Sequence, residues 1–92
     1  MIRSFRCRDT QALYEGHCPL RWRAIEAVAM RKLQMLEAAQ EPKDLLWPPG
    51  NRLEKLVGDR AGQWSIRVND QWRVCFVWTE QGCAEIEIVD YH

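Results

Sequence analysis

Ninety-two residues suffice for one domain, taken as 1–92, and are too few for two. Thirteen Lys and Arg balance thirteen Asp and Glu, giving a formal net charge of zero. That balance excludes tight, indiscriminate nucleic-acid binding driven by summed positive charge, while leaving room for a local basic site. With 47% apolar residues and five tryptophans the chain can build a core, although a domain this small buries only a little over ~60% of its unfolded surface. No apolar run approaches the ~20 residues that cross a membrane. Cys7, Cys18, Cys75 and Cys83 show no CxxC spacing, and Cys7, His17 and Cys18 fit no standard zinc site, so neither a metal nor another cofactor is expected. Without a recognisable signal sequence, the expected setting is the cytoplasm, with reduced thiols.

The opening "MIRSFRC" sets Ile2 and Phe5 among arginines and predicts a short, edge-like strand. Asp9 or Thr10 then caps a short helix running to Tyr14 or Glu15, with Gly16 ending it. From Leu20 to about Gln40, Trp22, Ile25, Ala29, Leu33 and Leu36 recur at helical spacing and draw one apolar stripe, flanked by Val28, Met35 and Ala39. Pro42, Pro48, Pro49 and Gly50 stop that helix, and "EPKDLLWPPGN" reads as a linker wrapped on the surface.

Beyond Leu53 the apolar period changes to two. "RLEKLV" reads as a short strand and "GDRAG" as a turn. "QWSIRV" puts Trp64, Ile66 and Val68 on one face and Ser65 and Arg67 on the other. "WRVCFVW" separates Trp72, Val74, Phe76 and Trp78 from Arg73, Cys75 and Val77 in the same way. "EQGC" turns into a last strand, "AEIEIVDYH". The predicted fold is α+β: an N-terminal strand and two helices packed on one face of an antiparallel sheet of about four to five strands.

Keeping every bulky apolar group on one side requires Val68 opposite Trp72, Ile66 opposite Val74 and Trp64 opposite Phe76. This register makes Asn69-Asp70-Gln71 a three-residue loop and sets Arg67 opposite Arg73. Like charges facing each other across a strand pair repel, so an anion is expected between them. Two candidates fit: Glu85 or Glu87 from the last strand, or a phosphate held by the planar guanidinium forks. Trp72 and Trp78 offer surfaces for base stacking, but their alternation assigns them to the core.

The segment ends in Asp90, Tyr91 and His92: a carboxylate, a phenol and an imidazole. An imidazole exchanges protons near neutral pH, and a neighbouring carboxylate orients it. Beside arginines, such a set suits RNA cleavage by a ribose 2′-hydroxyl attacking the adjacent phosphate. That reaction needs a base, an acid and cations for the developing charge. A solvated cluster of polar residues at a strand end reads equally well from spacing alone.

"GNRLEKLVGDRAGQWSIRVNDQWRVCFVW" and the closing "EIVDYH" resemble the HigB-type toxins of bacterial toxin–antitoxin systems, in the RelE/ParE superfamily. The likeness runs over essentially the whole chain. It implies a RelE-like fold and a ribosome-dependent endoribonuclease that cuts messages in the ribosomal A site and inhibits translation. It also implies a helix-turn-helix, HigA-like antitoxin, with operator DNA reached only through the toxin–antitoxin complex. The family's terminal Asp-Tyr-His cluster falls on Asp90, Tyr91 and His92. Its phosphate-contacting arginine falls on Arg73, and a basic position of the preceding strand on Arg67. Arg60, Arg52 and Lys55 complete the cations expected to hold RNA. Where studied members carry a catalytic histidine in an L-H-P-L motif, this chain reads Leu53-Glu54-Lys55-Leu56. Glu54 therefore stands as a substitute base or as a solvent-facing residue paired with Lys55 or Arg52. Either role predicts an attenuated nuclease. The rival expectations are a ParE-like gyrase poison, which would not need the terminal cluster, and a non-catalytic module that binds antitoxin.

Overall fold

The computed structural model describes residues 1–90. Helix α1 (Arg8–Tyr14) and helix α2 (Glu26–Ala38) pack on one face of a four-stranded antiparallel sheet. Its strands are β1 (Glu54–Lys55), β2 (Gln63–Arg67), β3 (Trp72–Thr79) and β4 (Gly82–Asp90), neighbouring one another in chain order. The α+β architecture read from the sequence is the architecture observed.

The predicted stripe is the core. Trp22, Ile25, Ala29, Leu33 and Leu36 are all buried, and they meet Ile66, Val68, Val74, Phe76, Ile86 and Ile88 from the sheet. The long helical segment is divided, however. Leu20–Ile25 winds as a 3-10 helix after Pro19, and α2 proper begins at Glu26. α2 ends at Ala38, two residues before Gln40; Ala39 is already extended, and so is Glu41, which precedes Pro42. The Asp44 carboxylate accepts the N–H groups of Gln40 (2.9 Å) and Glu41 (3.2 Å) that the broken helix leaves over.

Three expectations are corrected. Helix α1 starts at Arg8 with Cys7 at its cap position, and no side chain caps it. Thr10 is instead fully buried, its Oγ1 accepting the Ile88 N–H at 3.0 Å and tying α1 to β4. The "EPKDLLWPPGN" stretch is not merely draped on the surface. It forms 3-10 turns at Pro42–Leu46 and Pro49–Asn51, with Leu45 and Asn51 buried. Asn51 donates to the Leu45 carbonyl (3.2 Å) and accepts from Lys32 Nζ (2.6 Å), stapling this segment to α2. Finally, the N-terminal segment is no regular strand: it runs parallel to the outer edge of β4 with only two bridges, Ile2 to Cys83 and Phe5 to Ile86.

The reason for that broken pairing lies in β4. Cys75 pairs with Glu87 but Val77 with Ala84, so Glu85 and Ile86 together oppose Phe76 in a β-bulge. Glu85 takes a left-handed backbone (φ 53°), and its N–H turns outward to Ser4 Oγ at 2.9 Å. The extra residue changes the phase of the strand. Cys83, Ile86 and Ile88 all reach the core despite the odd spacing between Cys83 and Ile86.

The start of β4 makes its own demand. Gly82 has φ +127°, and a Cβ there would lie 2.1 Å from the Met1 carbonyl oxygen, which accepts the Cys83 N–H. Gly82→Ala is expected to push the N-terminal segment off β4 at a cost of about 1–3 kcal/mol. Thermal unfolding checks this through a clearly lowered midpoint.

Candidate functional site

The face of the sheet opposite the helices carries the polar residues. β2 and β3 pair as the alternation predicted: Trp64 with Phe76, Ile66 with Val74 and Arg67 with Arg73, while the Val68 N–H donates to the Trp72 carbonyl (2.9 Å). Across all four strands one row reads Glu54, Ser65, Cys75, Glu87, and the adjacent row reads Arg67, Arg73, Val89. Ser65 and Cys75 are small and fully buried. They lie beneath a strip of charged side chains, with a carboxylate at each side and arginines along it.

Arg73 is the most firmly held of these cations, its side chain only 11% exposed. Its Nε donates to Ser65 Oγ at 2.8 Å, and its Nη2 donates to the Arg52 carbonyl at 2.6 Å and to the Ser65 carbonyl at 3.3 Å. The Glu54 carboxylate lies 3.5 Å from the same Nη2. Arg52 presents its carbonyl from a left-handed conformation (φ 46°), an unfavourable geometry for a side-chain-bearing residue. Among the described residues, three neighbours thus hold this guanidinium before any substrate arrives.

Glu85 and Glu87 are not the anions between Arg67 and Arg73. Asp70, in the hairpin loop, pairs with Arg67, and Glu54 pairs with Arg73. Glu85 sits in the bulge, turned out to solvent. Glu87 is taken by Arg60, whose Nη1 donates to it at 2.8 Å and to Gln63 Oε1 at 3.1 Å, reaching from the β1–β2 connection across the sheet. Arg6 approaches the same Glu87 oxygen at 3.9 Å. Beneath these groups, burial pushes the Cys75 thiol above its ordinary range; Arg60 and Arg73 pull it down, and Glu87 and Glu54 raise it further. Burial also pushes Cys83 up, to about 12. All four cysteines are free thiols, these two inaccessible.

The proposed site residues therefore divide. Arg73, Glu54, Arg67 and Arg60 share the open face, and Arg52 contributes a carbonyl to it. Lys55 pairs with Trp64 on the helix side, its ammonium 5.5 Å from the centre of that ring. Asp90 pairs with Trp72 on the helix side too, at the end of β4, where it accepts from Gln71 Nε2 at 3.1 Å. Tyr91 and His92 lie outside the described residues. Trp72 and Trp78 pack against the core, and Trp72 meets Trp22 edge-on with centroids 5.9 Å apart. The sequence reading offered Glu87 only as a partner for Arg67 and Arg73, and did not single out Ser65 or Arg6. Ser65 did carry a signal, as the small polar residue on the arginine face of "QWSIRV". Among the described residues no three His, Cys, Asp or Glu gather as a metal site, and no helix is long and apolar enough to cross a membrane.

Comparison with known proteins identifies the family of this chain. Residues 12–92 match the family model described as the RelE-like toxin of the type II toxin–antitoxin system HigB. The chain is similar to "Toxin HigB-1" of Vibrio cholerae serotype O1, with 48% identity over 69 residues, covering 75% of this chain and 72% of that protein. It is also similar to "Endoribonuclease HigB" of Proteus vulgaris, with 31% identity over 97 residues and full coverage of both chains. The strip of arginines and carboxylates is thus carried by a chain that belongs to the HigB-like family of RelE-like toxins.

Proposed function

We propose that this protein is the toxin of a type II toxin–antitoxin pair and an endoribonuclease that cuts messages on the translating ribosome. The observation that carries the reading is Arg73, fixed on the open face by Ser65 and the Arg52 carbonyl and set 3.5 Å from Glu54. A preorganised guanidinium stabilises the charge that develops on a phosphate under attack, with no reorganisation cost at the moment of reaction. Arg67, Arg60 and Arg52 hold the RNA backbone across the strip, and Lys55 at the sheet edge extends that hold.

In this reading the 2′-hydroxyl of the message attacks the adjacent phosphorus. The oxygen–phosphorus bond to the next nucleotide breaks, and a 2′,3′-cyclic phosphate forms. His92 and Tyr91 handle the protons, and Asp90 orients the imidazole from the end of β4. No cofactor enters the scheme. Glu54 accepts a proton where the family's histidine would, and a carboxylate in place of that imidazole makes the enzyme slow. Ribosome dependence follows from the zero net charge: a protein with weak general RNA affinity gains most from a substrate already positioned, an effect worth ~7–11 kcal/mol in favourable cases. Its partners are a helix-turn-helix antitoxin of the HigA type, the ribosome with A-site message, and operator DNA through the antitoxin complex. The single toxin domain works in the cytoplasm.

Mapping RNA 5′ ends after induction tests this. Codon-phased cuts in translated messages, little cleavage of free RNA, and loss of both growth arrest and cuts with His92→Gln are expected. Glu54→His is expected to increase cleavage. Equal cutting of free and translated RNA would refute ribosome dependence. DNA damage without cuts would identify a gyrase poison, and neither outcome would leave only an antitoxin-binding module.

A further inference from the structure

We infer that Arg6 and Arg60, gathered around Glu87, form a second phosphodiester subsite beside Arg73, and that Glu87 occupies it in the free protein as an internal stand-in for the phosphate. This rests on the proposed RNA-cleaving reading and extends the path of the strand.

Glu87 is placed for this by the bulge at Glu85. Without the inserted residue the register of Val77 with Ala84 would continue, and Glu87 would point to the helix side. With it, Glu87 stands opposite Cys75 on the open face, a diagonal neighbour of Arg73 at roughly 7–8 Å between Cα atoms. That spacing suits adjacent phosphates of one extended single strand. The Glu87 side chain is 17% exposed, so its charge is partly desolvated and needs cations close by. Two come from separate parts of the chain: Arg60 from the β1–β2 connection, hydrogen-bonded at 2.8 Å, and Arg6 from the N-terminal segment.

The two contacts are unequal. Arg6 lies 3.9 Å from the carboxylate oxygen, beyond hydrogen-bond length, and its side chain is 56% exposed. Its backbone N–H is held separately by the Ile86 carbonyl at 2.9 Å, so the side chain is not what anchors the segment. Arg60 and Arg6 thus converge on one carboxylate at the rim of the open face. An incoming phosphate offers both arginines more acceptor oxygens than Glu87 does, and planar forks suit it. Glu87 thereby sets affinity: it keeps the arginines arranged and raises the barrier to casual RNA binding.

The test uses the full chain and a fluorescent single-stranded RNA blocked with 2′-methoxy groups, so that it binds without being cut. Glu87→Gln keeps shape and an acceptor for Arg60 but removes the competing charge. It is expected to bind about threefold to tenfold more tightly, whereas Arg6→Ala weakens binding and lowers the salt slope by about one phosphate contact. Unchanged or weaker binding by Glu87→Gln, at an unchanged melting temperature, overturns the inference. So does an unchanged salt slope for Arg6→Ala. If Arg73→Ala abolishes cleavage while these variants bind like the parent, the cleavage reading stands and the subsite falls. If the parent neither binds nor cuts, both fall. Binding to ribosomes with and without message assigns the phosphate to message or ribosomal RNA.

Discussion

Arg73→Ala is expected to lower message cleavage by about 10²–10³-fold, the loss typical of removing one preorganised donor to transition-state charge. The substitution removes the contacts that this guanidinium makes among the described residues, including Ser65 Oγ at 2.8 Å, the Arg52 carbonyl at 2.6 Å and the Glu54 carboxylate at 3.5 Å. Arg73→Lys is expected to restore little. A lysine ammonium is a point charge and cannot engage Ser65 and the Arg52 carbonyl as a fork while meeting a phosphate. Losing the guanidinium donor to the buried Ser65 Oγ costs stability as well, about 1–3 kcal/mol. Cleavage must therefore be measured with a melting curve beside it. A folded Arg73→Ala protein that cuts at the parental rate would remove Arg73 from the chemistry. The expected split is a large fall in kcat with a smaller change in apparent affinity, since Arg67 and Arg60 remain.

Trp22→Ala is expected to cost about 3–5 kcal/mol, against a total of about 5–14 kcal/mol for a domain this size, and to lower the melting temperature sharply. Trp22 is fully buried and is the largest side chain in the core. Its ring meets Trp72 edge-on at 5.9 Å, and Arg21 caps its other surroundings with the guanidinium 4.3 Å from the ring centre. Trp72 is the first residue of β3 and the neighbour of Arg73. A cavity at Trp22 therefore loosens the strand end that carries the proposed phosphate contact. Trp22→Phe separates volume from polarity. The indole Nε1 has no hydrogen-bond partner among the described residues, so phenylalanine fills most of the space and removes a buried unpaired donor. A modest change in melting temperature is expected for it. An equally large loss in both variants would mean that the indole N–H is satisfied in solution, by a water.

Glu54, Glu87 and Arg6 show why the site is harder to read than the fold. Charged residues on an open sheet face have no periodicity to report their partners, because each long side chain chooses among several neighbours within reach. Glu87 was a plausible partner for Arg67 or Arg73, yet Arg60 claims it from a loop that no strand alternation describes. Arg67 settles on Asp70 three residues away, inside its own hairpin. Asp90 illustrates the converse. It pairs with Trp72 on the helix side, away from Arg73, although the resemblance grouped them in one role.

What the amino-acid order determined by itself were the features enforced by burying apolar groups: the stripe from Trp22 to Leu36, the period-two strands, and the β2–β3 register that sets Arg67 opposite Arg73. A slip of one residue in that register would expose an entire apolar face, so the pattern admits one solution. Only the tertiary structure decided where β4 breaks its alternation. The bulge at Glu85 exists because Cys83, Ile86 and Ile88 must all face one core and Ser4 stands ready to take the displaced N–H. It also decided that the Arg52 carbonyl and Ser65 hold Arg73. Those are contacts between segments distant in sequence, and their free energy comes from surroundings that no local pattern encodes.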